Sequence, residues 1–348
     1  MLFLDVSMEK KYDTNSFMDS TVLPDWLDSY IFKELGGIYS PDYIRYEYNL
    51  DLSKEEVKTY LGTYFPRSYA ESFCIFDNLL SNGNYFSEIQ LKRELSILDF
   101  GCGTGGEIIG LLMALTKYHP DIENINILAL DGNHYALRRL ESIIDQFRLH
   151  CQYSINLIVG PIAVSDSSDI ELMKDVIQGS FDYILSFKAI CELISKKRIP
   201  ENAYKYIAEI LASKLTEKGI MVILDVTVKS PAIGTFYPIY MNNGLREFVK
   251  KSNNSFKTLI PLSCYRYERA CTQECFSQRL FKITHSRKQN DLSKVSYRIL
   301  GRKNFVELIM PKLLIGELII QVKNGENIYC PLSKGVRCLS SFDINNSN

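Results

Sequence analysis

The stretch Ile97-Leu98-Asp99-Phe100-Gly101-Cys102-Gly103-Thr104-Gly105-Gly106-Glu107 decides the fold. A short apolar run ends in an acid, passes a glycine-rich turn and opens into Ile108-Ile109-Gly110-Leu111-Leu112, which continues as a helix. Strand, glycine turn and helix in that order form the opening unit of a nucleotide-binding α/β sheet. Glycines there admit positive φ and let a ligand lie against the backbone. The spacing reads two ways. Gly101, Gly103 and Gly106 satisfy the dinucleotide fingerprint, whereas Gly101, Gly103 and Gly105 satisfy the loop that binds S-adenosylmethionine (SAM). Asp99 favours the second reading. An acid two residues before the first glycine suits the amino group of SAM and sits poorly beside a pyrophosphate. Asp131, at the end of the next apolar run, suits the two ribose hydroxyls. The expected cofactor-binding set is Asp99, Gly101, Cys102, Gly103, Gly105, Asp131, Gly132 and Ser186.

Working outward, apolar runs at 96–100, 125–130, 154–159, 181–186 and 220–226 alternate with helical patterns at 107–117, 135–147, 169–177 and 201–215. Each run is almost uniformly apolar, as strands covered by helices on both faces are. Five such units predict a doubly wound sheet. With further strands at 257–262 and 295–300, the expectation is a Rossmann-like class I SAM-dependent methyltransferase fold, α/β, with a seven-stranded, mostly parallel sheet. Residues 1–90 are expected to form a helical N-terminal extension, 91–262 the SAM-binding core, and 263–348 a cysteine segment, the last core strand and a tail. Two helices are expected in the extension, at 52–64 and 68–80, with Pro66 breaking the chain between them. A strand-like segment follows at 313–322.

The composition narrows the function. Apolar residues are 46% of 348 and charged residues 23%, enough for a packed core. The net charge of -1 confines any nucleic-acid contact to a local patch. No apolar run reaches the length of a membrane span. Asp5, Glu9 and Asp13 do not suit a secretory or transit signal. A cytoplasmic monomer that does not engage membranes is expected. The segment after the fourth strand, Ser186-Phe187-Lys188, lacks the Asn-Pro-Pro-Tyr pattern of base amino-group methylation. It offers Ser186, Lys188 and Glu192 as nearby polar groups, and the sequence identifies no catalytic residue.

Cys264, Cys271 and Cys275 fall within twelve residues and form no Cys-x-x-Cys knuckle. Three close thiolates and a distant fourth suit an iron–sulfur cluster, with Cys330 as the fourth ligand and Cys338 its competitor. Zinc is the alternative, and His285 then joins the candidates. Basic residues Arg279, Lys282, Arg287, Lys288, Lys294, Arg298, Arg302 and Lys303 follow, interleaved with aromatics such as Phe281 and Tyr297. Such a pattern fits a phosphate- and base-binding surface.

Taken in order, Tyr64, Pro66, Tyr69, the glycine loop, Cys191-Glu192-Leu193, Cys264, Cys271, Cys275-Phe276-Ser277-Gln278-Arg279 and Ser296-Tyr297-Arg298-Ile299-Leu300 look familiar. The chain resembles the methyltransferase-like proteins that assist assembly of the ribosomal small subunit, in mitochondria and in bacteria. The resemblance implies a four-iron–four-sulfur cluster on Cys264, Cys271, Cys275 and a fourth cysteine. It also implies binding to the small subunit or its RNA, and SAM binding more than turnover. Cys330 departs from the family, whose last ligand sits on a strand before a glycine turn. Asp225 lacks the Pro-Gly that usually follows, and the third-strand end, Val159-Gly160-Pro161, lacks the usual acid. Two other functions fit the same sequence: a small-molecule or protein methyltransferase with structural zinc, and an assembly factor keeping SAM as a structural ligand.

Overall fold

The computed structural model describes residues 18–41, 51–253, 255–260, 279–313, 321–323 and 326–328. Strand β1 (Met18–Val22) leads through α1 (Asp25–Ser29) and a π-helical turn to α2 (Glu56–Ser81) and α3 (Gly83–Ile89). The alternating core follows: β2 (Glu94–Phe100), α4 (Gly106–Tyr118), β3 (Asn124–Asp131), α5 (His134–Phe147), β4 (Ser154–Pro161), α6 (Ser167–Val176), β5 (Phe181–Phe187), α7 (Ile190–Ser195), α8 (Ala203–Leu211) and β6 (Leu215–Val226). After α9 (Tyr237–Lys251) come β7 (Phe256–Ile260), β8 (Arg279–His285), β9 (Lys288–Arg302), α10 (Lys303–Leu313) and a small hairpin of β10 (Gln321–Lys323) and β11 (Glu326–Ile328).

The main sheet runs β1-β8-β9-β6-β5-β2-β3-β4, with β7 also paired to β9. Strands β2 to β6 are mutually parallel, and β9 is antiparallel to β6. The order β4-β3-β2-β5-β6-β9-β7 with one reversed strand is that of a class I methyltransferase. A dinucleotide-binding sheet is parallel throughout its six strands. The order reverses between β2 and β5, so their C-terminal ends open a crevice there.

Among the described residues the sheet has nine strands, two more than the sequence predicts. Strand β9 is fifteen residues long, far beyond the expected 295–300. Its second half pairs with β6 and β7, which leaves the first half with unpaired backbone groups. Strand β8 folds back onto that half, and β1 lies parallel to β8. In β8, Arg279, Phe281, Ile283 and His285 alternate inward, a period-2 pattern that its basic residues obscure in the sequence. In the tail, Leu313 belongs to a helix and Gln321–Lys323 to a strand, while 314–320 of the expected segment lie outside the described residues.

The break expected at Pro66 is absent. One 26-residue helix runs through it. Proline in a helix interior forfeits a hydrogen bond and costs about 3 kcal/mol. Here Leu61, Phe65, Tyr69, Ile75 and Phe76 on the same helix are buried, which offsets that loss. Helix α2 presses on α4 backbone to backbone. A Cβ at Gly110 would lie 2.5 Å from the Tyr69 carbonyl oxygen and 2.8 Å from the Phe73 nitrogen. Gly110→Val is therefore expected to cost about 1–3 kcal/mol, read from urea unfolding. An unchanged midpoint would show that the two helices do not bear on each other.

Candidate functional site

The glycine turn is tied to the second core strand by backbone and side chain. Gly101 and Cys102 donate to the Leu130 carbonyl at 2.8 and 3.1 Å. The Gly103 N–H donates to Asp131 Oδ2 at 2.8 Å, and the Asn133 N–H to Asp131 Oδ1 at 2.8 Å. Asp131 thus fixes the loop through both carboxylate oxygens. Asn133 caps α5 through Tyr135 and Ala136. Gly105 supplies the left-handed residue that starts α4, at φ 82°.

Beneath this loop lies Asp99, fully buried at the end of β2, with neither carboxylate oxygen hydrogen-bonded. Burial pushes its carboxyl well above the usual range, and the nearby Glu107 and Asp131 push the same way. A sealed, unpartnered carboxyl beside two other acids favours a cation. A cationic group such as the SAM amino group would meet that demand, so the residues present fit this cofactor.

Two adjoining clefts open at the switch point. The first, about 740 Å³, is lined by Tyr60, Tyr64, Ser68, Cys102, Glu107 and Lys188 among others. The second, about 550 Å³, is lined by Gly101, Asp131, Gly132, Ile162, Val164 and Arg198 among others. Tyr60, Phe187, Lys188 and Glu192 line both. Helix α2 forms part of their wall. A Cβ at Gly103 would lie 2.9 Å from the Tyr60 hydroxyl, so the phenol rests on the loop only because that residue is glycine. The Tyr60 and Tyr64 rings are 5.1 Å apart.

Charge in the first cleft is paired with care. Lys188 Nζ lies 2.6 Å from Glu71 Oε2 of α2, and the Glu71 side chain is wholly buried. Lys188 holds φ at 61°, an uncommon conformation for a side-chain-bearing residue. Its N–H donates to Leu224 O at 2.8 Å, which pins the turn. Burial pushes the Glu107 carboxyl up to about 8, against the lowering influence of its own backbone N–H and of Lys188. Asp225 has a different part. It accepts from the Cys191 N–H, the Val226 N–H and the Tyr204 hydroxyl at 2.8–3.0 Å, joining β6 to α7 and α8.

Of the expected cofactor residues, Gly101, Asp131 and Gly132 line the second cleft and Cys102 the first. Asp99, Gly103 and Gly105 build the loop beneath and between them. Ser186 is buried in β5, its hydroxyl without a hydrogen bond, and lines neither cleft. Glu107, Tyr60 and Glu71 carry no site motif in the sequence, and Tyr64 enters it only through the family resemblance. The spacing Tyr60, Tyr64, Ser68, Glu71 places them on one helix face, a signal hidden by the expected break at Pro66.

Cys264, Cys271, Cys275, Cys330 and Cys338 lie outside the described residues. His285 lies buried between Phe32 and Tyr39, 3.7 Å from Asp291 Oδ2. Arg67 grips that same carboxylate in a fork at 2.8 and 2.9 Å. The basic run divides. Arg279 and Arg298 are buried, as are Phe281 and Tyr297, while Arg287, Lys288 and Lys294 are exposed. The exposed patch is thus smaller than the sequence suggests. No described helix is long and apolar enough to cross a membrane.

No family model and no curated protein matches the chain. Solved structures of SAM-dependent methyltransferases resemble it in fold. Magnesium protoporphyrin IX methyltransferase from Synechocystis, with bound S-adenosylhomocysteine, is 10% identical; the match covers 79% of this chain and 96% of that one, with a TM-score of 0.39. The plantazolicin methyltransferase BpumL, also with S-adenosylhomocysteine, is 14% identical over 79% and 93%, with a TM-score of 0.39. A candidate RNA methyltransferase from Pyrococcus horikoshii is 12% identical over 79% and 94%, at 0.37. The fold assignment itself rests on strand order.

The buried Glu107 gives a stability signature. Its carboxyl is raised from 4.5 to about 8 in the fold, so the folded chain holds a proton that the unfolded chain releases. That contribution is full below about 4.5 and is lost as pH rises through about 8. Denaturant unfolding across this window is expected to show a steeper decline for the wild type than for Glu107→Gln. Parallel profiles would contradict the buried, protonated carboxyl.

Proposed function

We propose that the chain is a SAM-dependent methyltransferase whose cofactor spans the two clefts. The observation that carries this is the glycine turn set between two buried carboxylates at the switch point of a sheet with one reversed strand. Asp131 receives the ribose hydroxyls, and Ile162 and Val164 offer an apolar face for the adenine. Asp99 answers the amino group. SAM supplies an electrophilic methyl on a sulfonium. The protein holds that methyl toward the first cleft, where Tyr60, Tyr64 and Phe187 exclude water. A dinucleotide in the same loop would bring a pyrophosphate toward Asp99, which is unfavourable.

The finer part of the proposal concerns the cysteine segment. Cys264, Cys271, Cys275 and Cys330 hold an iron–sulfur cluster, and the chain acts on or binds the ribosomal small subunit or its RNA. The sequence resemblance supports this reading, and exposed Arg287, Lys288 and Lys294 supply a basic rim suited to phosphates.

Asp131→Ala removes both the ribose acceptor and the anchor of Gly103. It is expected to weaken SAM about tenfold or more, measured by equilibrium dialysis with labelled SAM. Retained affinity would overturn the ribose assignment. Anaerobically isolated protein is expected to carry iron and acid-labile sulfide. Zinc in the absence of iron would defeat the cluster reading.

A further inference from the structure

The first cleft has a composition that selects its second occupant. Five aromatic side chains line it: Tyr60, Tyr64, Phe65, Phe187 and Tyr237. Among its described lining residues Lys188 is the sole Lys, Arg or His, and its charge is answered by Glu71 at 2.6 Å. Two further carboxyl groups, Glu107 and Glu192, face the same space. Glu107 is 3% exposed and sits in the first turn of α4, directly after the glycine loop. Behind it lies Asp99, sealed and without a hydrogen bond.

We propose that this cleft takes an aliphatic amine as the methyl acceptor, with its ammonium against the Tyr60–Tyr64 pair and the Glu107 carboxylate. This deepens the methyltransferase reading and rests on it. Aromatic faces attract ammonium groups, and a carboxyl surplus repels anionic acceptors. The demands of SAM itself are met elsewhere, by Asp99 for its amino group and Asp131 for its ribose. That leaves Glu107 and the α2 tyrosines for the acceptor.

The chemistry closes on residues present. An amine arrives as R–NH3+ and must lose one proton to expose its lone pair. Glu107 takes that proton in its ionised form, which predominates above about 8 in the empty fold and which an adjacent ammonium favours. The nitrogen lone pair then bonds to the methyl carbon. The carbon–sulfur bond breaks with its electron pair going to sulfur. The products are R–NH2–CH3+, neutral S-adenosylhomocysteine and a protonated Glu107, so charge and protons balance.

The test uses the full chain saturated with S-adenosylhomocysteine and titrated calorimetrically with benzylamine, a lysine-containing peptide and phenylacetate. Benzylamine or the lysyl peptide is expected to bind, and the stronger of the two tells whether the amine is a free molecule or a protein side chain. Phenylacetate is expected not to bind. Tyr64→Leu keeps apolar bulk and loses the ring. It is expected to weaken the bound amine about three- to thirtyfold at saturating S-adenosylhomocysteine. Glu107→Gln is expected to abolish methylation of that amine by labelled SAM while leaving SAM bound. Binding of phenylacetate in preference, binding of neither amine, or unchanged amine affinity in Tyr64→Leu overturns the acceptor assignment alone. Failure to take up S-adenosylhomocysteine overturns the methyltransferase reading and this one with it.

Discussion

A carboxylate without a partner sets the terms for this molecule. Asp99 is carried to the end of β2 beside Ile97, Leu98 and Phe100, which are core, so the acid is sealed with them. Desolvating a charge with no counter-charge is costly. Burial raises its carboxyl well above the usual range, which favours the neutral form, and a bound cation is the other answer. Around Asp99 the protein stacks the means of bringing one: a glycine turn with an open backbone, Asp131 fastening that turn, and a crevice where the strand order reverses.

The second constraint is the seating of α2. Gly110 lets this helix meet α4 at backbone distance, and Gly103 lets Tyr60 rest on the loop. The helix then delivers Tyr60, Tyr64, Ser68 and Glu71 to a site whose other half comes from β5 and α7. Glu71 in turn fixes Lys188, which turns through a strained φ just where an acceptor would approach. The glycine loop, its roof and the wall of the first cleft meet through one helix pair.

Much of this was legible from residue order. The core strands showed as apolar runs, and their observed bounds differ from the expected ones mainly at the start of β6, which begins at Leu215 and not at 220. Asp99, the glycines and Asp131 stood at positions where chemistry requires those residue types. What stayed hidden depends on contacts distant in sequence. Pro66 reads as a breaker because its local cost is visible and the burial that offsets it is not. β8 reads as a basic patch because Arg279 finds Asp19, 3.6 Å away, only once β1 docks. Glu107 reads as an ordinary helix-start acid, and only the closure of α2 over α4 buries it.

The central claim is that the pocket is built for a cationic adenosyl ligand and not for a pyrophosphate. Calorimetric titration of the intact chain with SAM, and in parallel with a nicotinamide dinucleotide, addresses it directly. Saturable heat with SAM and none with the dinucleotide is the predicted result. Tight uptake of the dinucleotide with silence toward SAM would contradict the account.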